Sequence, residues 1–288
     1  MTLAIACITD DYIIHISDRR TTSFIPPFKP LDDEVNKSIL FDWSVSFSFA
    51  GRANMGKYTT DEKVDDWLVR KIAEVSSGDY KRVILEHIRV EATKAFALMD
   101  CTNSEKRHVF QAVGWFKHAN ESIHRPVLSL ISNAIDYQTG EWLDEANEEF
   151  TVSESVITDF PRGHNLYAIG EKIHQMDKNA ITRLMQKCVK HKFTSPKRLA
   201  NALIICMQWL SRRYPRIGNG LMIICIPKKS VISSDLTGEG MILTGGPPDF
   251  DAIYSYYITT GTDKKFQLFP HVILRNGGII KGTICKFG

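Results

Sequence analysis

The chain has 288 residues, 43% hydrophobic and 24% charged, enough to bury a sizeable core as one domain or two closely packed ones. A formal net charge of +3 is too small to make nucleic acid or an anionic membrane an obligatory partner, and no stretch approaches transmembrane length. The six cysteines, at 7, 101, 188, 206, 225 and 285, lie far apart and four of them sit in apolar runs, which points to a reducing, cytoplasmic setting.

The first element reads as a β-hairpin. Leu3 to Ile8 and Tyr12 to Ser17 are rich in isoleucine, and Asp10-Asp11 between them suits a turn. A strand therefore begins at about residue 2, and the opening MTLAIACITDD has neither a basic n-region nor an unbroken signal-peptide core. After a loop with Pro26, Pro27 and Pro30, a second hairpin is expected as Val35 to Phe41 and Ser44 to Phe49, turning at Asp42-Trp43. From Thr60 the apolar positions take helical spacing, first at Val64, Trp67, Leu68, Ile72 and Val75, then from Tyr80 through Met99. Strands follow at Val109 to Phe116, Val127 to Ser132, Glu149 to Val156 and Leu166 to Ile169. Helices are expected over roughly 172–190 and 195–213, then a strand at Leu221 to Ile226 and several short ones. Blocks of strands alternating with blocks of helices exclude a simple βαβ repeat. They predict an α+β fold in which helices cover the outer faces of antiparallel sheets, a four-layer αββα sandwich. Gly245-Gly246-Pro247-Pro248 marks the expected boundary between a main domain at 1–245 and a C-terminal extension at 246–288 packed on it.

Thr2 opening a strand, then Ser17-Asp18-Arg19-Arg20, then Asn36-Lys37, then Phe49-Ala50-Gly51, resembles in order, and in the Thr2-to-Asp18 and Lys37-to-Gly51 spacings, the β-subunit of the proteasome, an N-terminal-nucleophile hydrolase, with the loop holding Pro26, Pro27 and Pro30 a few residues longer. The same pattern occurs in the peptidase of the bacterial two-component ATP-dependent protease and in the bacterial proteasome-like Anbu family. The resemblance is closest over residues 2–56 and continues as element order to about residue 245. It implies that Thr2, exposed by removal of Met1, is the nucleophile, that Asp18 and Lys37 form the supporting charge pair, and that Gly51 is the oxyanion-site glycine. Arg20 is the supporting residue of the set. It further implies peptide or amide substrates and a homo-oligomer, requires no metal or organic cofactor, and leaves open whether an ATP-driven unfoldase is a partner. The chemistry stands independently: a threonine hydroxyl needs a base, and a free α-amine of ordinary pKa about 8 on the same residue can serve. A neighbouring lysine ammonium favours the neutral amine by like-charge repulsion. A glycine lets a substrate approach a backbone N–H closely enough to stabilise an oxyanion.

Two segments depart from the family pattern. Glu171 stands where a serine usually follows Ala168-Ile169-Gly170, and Arg212 to Gly220 replaces a turn that usually carries an aspartate and a serine. The alternative is therefore a proteasome-like subunit without catalysis, with an assembly or binding role. Among rival motifs, Gly51 to Tyr58 nearly spells a phosphate-binding P-loop, but Tyr58 replaces the Ser/Thr that would ligate Mg²⁺ and the preceding hairpin is antiparallel. Cys188 and His191, with His174 and His164, lack a second close pair to complete a metal site. The basic stretch Lys187 to Arg198 reads as a solvated helix end, or more narrowly as a docking surface. Gly238-Glu239-Gly240 and Gly245-Gly246 read as turns.

Overall fold

The structure is a computed structural model. It describes residues 2–23, 29–32, 35–42, 44–56, 61–75, 80–117, 124–160, 163–190, 196–228, 258–259, 265–268, 270–274, 277–280 and 284–286. Lys57, Tyr58, His191, the Gly238-Glu239-Gly240 turn and the 245/246 boundary lie outside these residues.

The chain opens with strands β1 (Leu3–Ile8), β2 (Tyr12–Asp18), β3 (Thr21–Thr22), β4 (Pro30–Asp32), β5 (Ser38–Phe41) and β6 (Val45–Ala50). Helices α1 (Val64–Ala73) and α2 (Tyr80–Ala97) follow, then β7 (Val109–Lys117), β8 (His124–Ser132), β9 (Thr151–Val156) and β10 (Asn165–Gly170). Helices α3 (Gln175–Lys190) and α4 (Pro196–Arg213) lead into β11 (Leu221–Pro227), and short strands β12 (Ile258–Thr259), β13 (Lys265–Leu268), β14 (His271–Ile273), β15 (Ile279–Ile280) and β16 (Ile284–Lys286) finish the chain. The long elements fall where the apolar patterns put them, within a few residues.

Strands assemble mainly into an antiparallel four-stranded sheet, β10-β1-β2-β11, and a seven-stranded sheet, β15-β14-β5-β6-β7-β8-β9. The second is antiparallel except where β14 joins β5 in parallel, with Val272 opposite Leu40. The turn after β1 is closed by Thr9, whose hydroxyl accepts the N–H of Tyr12 at 2.9 Å, so Asp10 and Asp11 sit exposed at its tip. Asp42 turns the β5–β6 hairpin at φ 45°, a left-handed conformation that aspartate tolerates better than most residues.

Period-two alternation sorts the first sheet's side chains onto two faces. Leu3, Ile5, Cys7, Ile14 and Ile16 pack with α3 and α4 residues such as Met185, Leu203 and Met207. Ala6, Ile8, Ile13 and Ile224 face the other way and pack against Leu40, Val113, Trp115 and Leu128 of the second sheet. The second sheet's remaining face, with Ile39, Phe47 and Phe110, packs against Trp67, Leu68, Ile84 and Ile88 of α1 and α2. Each fully buried side chain of this size contributes about 1.5–3 kcal/mol, so these three apolar layers fix which faces meet. Between the sheets lies a polar seam. His15 Nδ1 bonds Ser46 Oγ at 2.8 Å, His15 Nε2 bonds Gln111 Oε1 at 3.0 Å and Ser48 Oγ at 2.8 Å, and Ser17 bonds Ser38 at 2.8 Å. Burial pushes His15 down to about 4, so it is neutral at physiological pH.

Among the described residues no helix is long and apolar enough to cross a membrane, and no group of His, Cys, Asp and Glu is placed to hold a metal ion. Cys7, Cys101, Cys188, Cys206 and Cys225 are free thiols.

Candidate active site

Asp18 closes β2, and its buried carboxylate collects three donors. Oδ2 accepts the N–H of Leu3 at 2.6 Å, while Oδ1 accepts the N–H of Arg20 at 2.8 Å and the ammonium of Lys37 at 3.0 Å. Lys37 is equally enclosed, with its side chain 1% exposed against 0% for Asp18, and it also donates to the Arg20 carbonyl. Taking two charges out of water costs several kcal/mol per ion, and the pair is tolerated because good geometry and extra hydrogen bonds offset that cost. Lys37 reaches Asp18 because it directly precedes β5, whose first residue, Ser38, is tied to Ser17 next to Asp18.

The Leu3 N–H held by Asp18 belongs to the peptide group that follows Thr2, so the charge pair is anchored one bond from the candidate nucleophile. Thr2 itself is buried, 3% exposed. Its carbonyl accepts the N–H of Glu171 at 2.8 Å, extending the β1–β10 ladder in which Leu3 faces Gly170. Gly170 has φ +104°, and a Cβ placed there would lie 1.6 Å from the Thr2 carbonyl oxygen and 3.3 Å from Ala50 Cβ. Only glycine fits, and the close approach brings Thr2, β10 and the end of β6 together.

Gly51 follows Ala50 directly and has φ +132°. A side chain there would meet the Arg107 carbonyl at 2.5 Å. The loop beyond it spends its backbone internally: Arg52 Nη2 donates to the Gly56 carbonyl at 2.7 Å, Met55 N–H to Glu62, and Val64 N–H to Ala53. Among the described residues of this stretch, Gly51–Gly56, the Met55 N–H is therefore already engaged by the Glu62 carbonyl.

Arg20 supports the site through its main chain, with its N–H on Asp18 and its carbonyl on Lys37, while its guanidinium reaches the Pro215 carbonyl at 3.2 Å. Gly218 lies against it, and Arg19 N–H bonds the Gly220 carbonyl at 3.0 Å. This places the Arg212 to Gly220 turn beside the Asp18 end of β2. The two departures from the family pattern meet there, since Arg216 Nη1 stands 3.6 Å from Glu171 Oε2. The turn is held in place by Tyr214, whose hydroxyl donates to Asp177 at 2.6 Å and accepts the N–H of His174 at 2.8 Å.

Thr2, Asp18, Lys37, Arg20 and Gly51 thus gather at one end of the two sheets. The possible metal ligands do not: Cys188 packs in the apolar layer under α3 and α4, and His174 caps the approach to α3. Reading the sequence residue by residue missed three features. The Gly170 contact was signalled only by a glycine ending a strand; the Glu171–Arg216 meeting joins residues 45 positions apart; and His108, buried behind Gly51, looked like an ordinary residue before a strand.

No family model matches the chain, and no curated protein matches it. Among solved structures, the chain is similar to Anbu from Hyphomicrobium sp. strain MC1, with 14% identity, 78% of this chain and 82% of that one covered, and a TM-score of 0.46. It is similar to Anbu (ancestral β-subunit) from Yersinia bercovieri, with 14% identity, coverage of 78% and 82%, and a TM-score of 0.45. It is likewise similar to eukaryotic HslV from Trypanosoma brucei, with 13% identity, coverage of 78% and 99%, and a TM-score of 0.42.

Proposed function

We propose that the protein is a threonine-type N-terminal-nucleophile hydrolase that cleaves peptide or other amide bonds through an acyl-enzyme on Thr2. The observation that carries this reading is the fully buried Asp18–Lys37 pair anchored on the peptide group next to Thr2. With Met1 removed, the Thr2 hydroxyl attacks the amide carbonyl and its own α-amine takes the proton. Lys37 keeps that amine neutral by charge repulsion, and Asp18 holds Lys37 in place. The negative oxygen of the tetrahedral intermediate is stabilised by the Gly51 N–H. Collapse breaks the C–N bond, with the α-ammonium returning its proton to the departing amine, and water then releases the acyl group.

On the same reading the three apolar layers are those of an αββα sandwich spanning residues 1–245, with 246–288 as an extension. The protein is on this reading a cytoplasmic homo-oligomer, with an ATP-driven unfoldase as its candidate partner. The Glu171–Arg216 pair favours a second reading, a subunit without catalysis, because it puts a charged pair beside Thr2 where the resembled family has small polar residues.

A Met1-free chain treated with a peptide epoxyketone or β-lactone is expected to gain one adduct at Thr2, located by mass spectrometry and absent in Thr2→Ala. No adduct and no amide turnover would refute the enzyme and leave the second reading.

A further inference from the structure

His108 directly precedes β7, and it stands one rung beyond the last β6–β7 pair, Ala50 with Val109, so it lies opposite Gly51. It is fully buried in an aromatic box. Phe49 stacks on its ring with centroids 5.8 Å apart, Phe96 lies at 5.2 Å and Phe110 at 4.5 Å. Neither ring nitrogen has a hydrogen-bond partner among the described residues. Burial, with the positive charge of Arg52, pushes the imidazole down to about 3, so the ring is neutral under all working conditions. Two desolvated nitrogens without partners destabilise the fold, and a phenylalanine would complete the aromatic box without that penalty. A local rule broken beside a candidate site is a pointer to function.

Contact with Gly51 supplies the reason. A Cβ built on Gly51 would lie 2.6 Å from His108 Nδ1, so the ring edge is pressed against the glycine backbone. With the proton assigned to Nε2, Nδ1 presents a lone pair where phenylalanine presents a C–H, so it permits a closer approach and can accept a weak Cα–H contact. The ring cannot easily retreat. His108 N–H donates to Asn133 Oδ1 at 2.9 Å, and its carbonyl accepts Ser132 Oγ at 2.9 Å.

We infer that His108 is a positioning residue: its buried ring fixes the Gly51 backbone so that the Gly51 N–H points at the oxygen that becomes negative when Thr2 is acylated. The inference rests on the reading of Gly51 as oxyanion donor. His108 touches no substrate and carries no proton in the reaction.

The test is His108→Phe in the full, Met1-free protein. Its denaturation midpoint should rise above wild type, because the unpartnered nitrogens are gone. The concentration dependence of epoxyketone inactivation should be unchanged, while the maximal inactivation rate falls roughly tenfold or more, since a small misplacement of a reacting group is that costly. The pH profile of that rate should keep its wild-type shape. An unchanged maximal rate would overturn the inference and leave His108 a packing residue, and a shifted pH limb would overturn it by making His108 a proton carrier. His108→Leu gives the same split should His108→Phe fail to fold. A crystal structure of either variant adds a readout independent of activity. If wild type forms no Thr2 adduct, the hydrolase reading fails, and the inference is judged on whether Gly51 has left its φ near +132° in the variant; a Gly51 that has not moved overturns it.

Discussion

Replacing Lys37 by alanine removes one half of an ion pair that has almost no solvent contact, with the Asp18 and Lys37 side chains 0% and 1% exposed. Breaking a buried pair from one side costs about 3–5 kcal/mol, because the remaining charge stays behind. Asp18 keeps the N–H groups of Leu3 and Arg20, which places the loss at the lower end, about 3 kcal/mol. Against a usual total of about 5–15 kcal/mol, the variant stays folded but is weakened, and its Tm falls by roughly 5 °C for a chain of this size. Pairing Lys37→Met with Asp18→Asn removes both charges at similar volume and should restore part of the stability, since the asparagine oxygen keeps one of the two backbone N–H groups while its NH2 faces the other, whereas both the single and the double variant should form no Thr2 adduct. Urea denaturation followed by circular dichroism, run beside epoxyketone labelling, separates the two effects. The reasoning is refuted if Lys37→Ala loses less than about 1 kcal/mol, or if the double variant loses the sum of the two singles, since either result means that the charges do not depend on each other.

Stability should also fall in mild acid. His15 and His108 titrate in the fold at about 4 and about 3, below the ordinary histidine value of about 6.5, so the unfolded chain binds more protons over that interval. Their contribution is intact above about pH 6.5 and is lost as pH falls, by about 2 kcal/mol per residue at pH 5 and about 6 kcal/mol together at pH 4. Urea midpoints measured across this range should show that slope, and His108→Phe should remove about half of it. A flat profile above pH 5 would contradict the burial of both rings. Gly170→Ala would place a methyl carbon 1.6 Å from the Thr2 carbonyl oxygen, which only a shift of the main chain can relieve. It should destabilise the fold by about 1–3 kcal/mol and abolish the Thr2 adduct, and wild-type labelling of this variant would show that Thr2 is not held against β10.

Local pattern was enough for the long elements. The isoleucine alternation of Leu3–Ile8 and Tyr12–Asp18 and the helical spacing in Val64–Ala73 and Pro196–Arg213 each report one buried face, and burial of that face is a property that neighbouring residues encode. The β3–β4 pair went unread because Thr21–Thr22 and Pro30–Asp32 carry no apolar alternation. The parallel pairing of β14 with β5 joins segments more than two hundred residues apart, and no local signal reports such a partner.

The candidate site divides the same way. The order Thr2, Asp18, Lys37, Gly51 is a linear fact, and the sequence by itself determined which residue types were available for hydroxyl attack, charge support and a close backbone approach. Only the tertiary structure decided that Lys37 bonds a buried oxygen of Asp18, that Gly170 presses on Thr2, that Glu171 meets Arg216, and that a histidine ring without a hydrogen-bond partner among the described residues backs Gly51. The reason is physical. A charge, a hydroxyl or an imidazole has the same identity on any strand, but its protonation, its cost and its use depend on burial and partners. Those are set by strand register and by which two faces the apolar layers bring together.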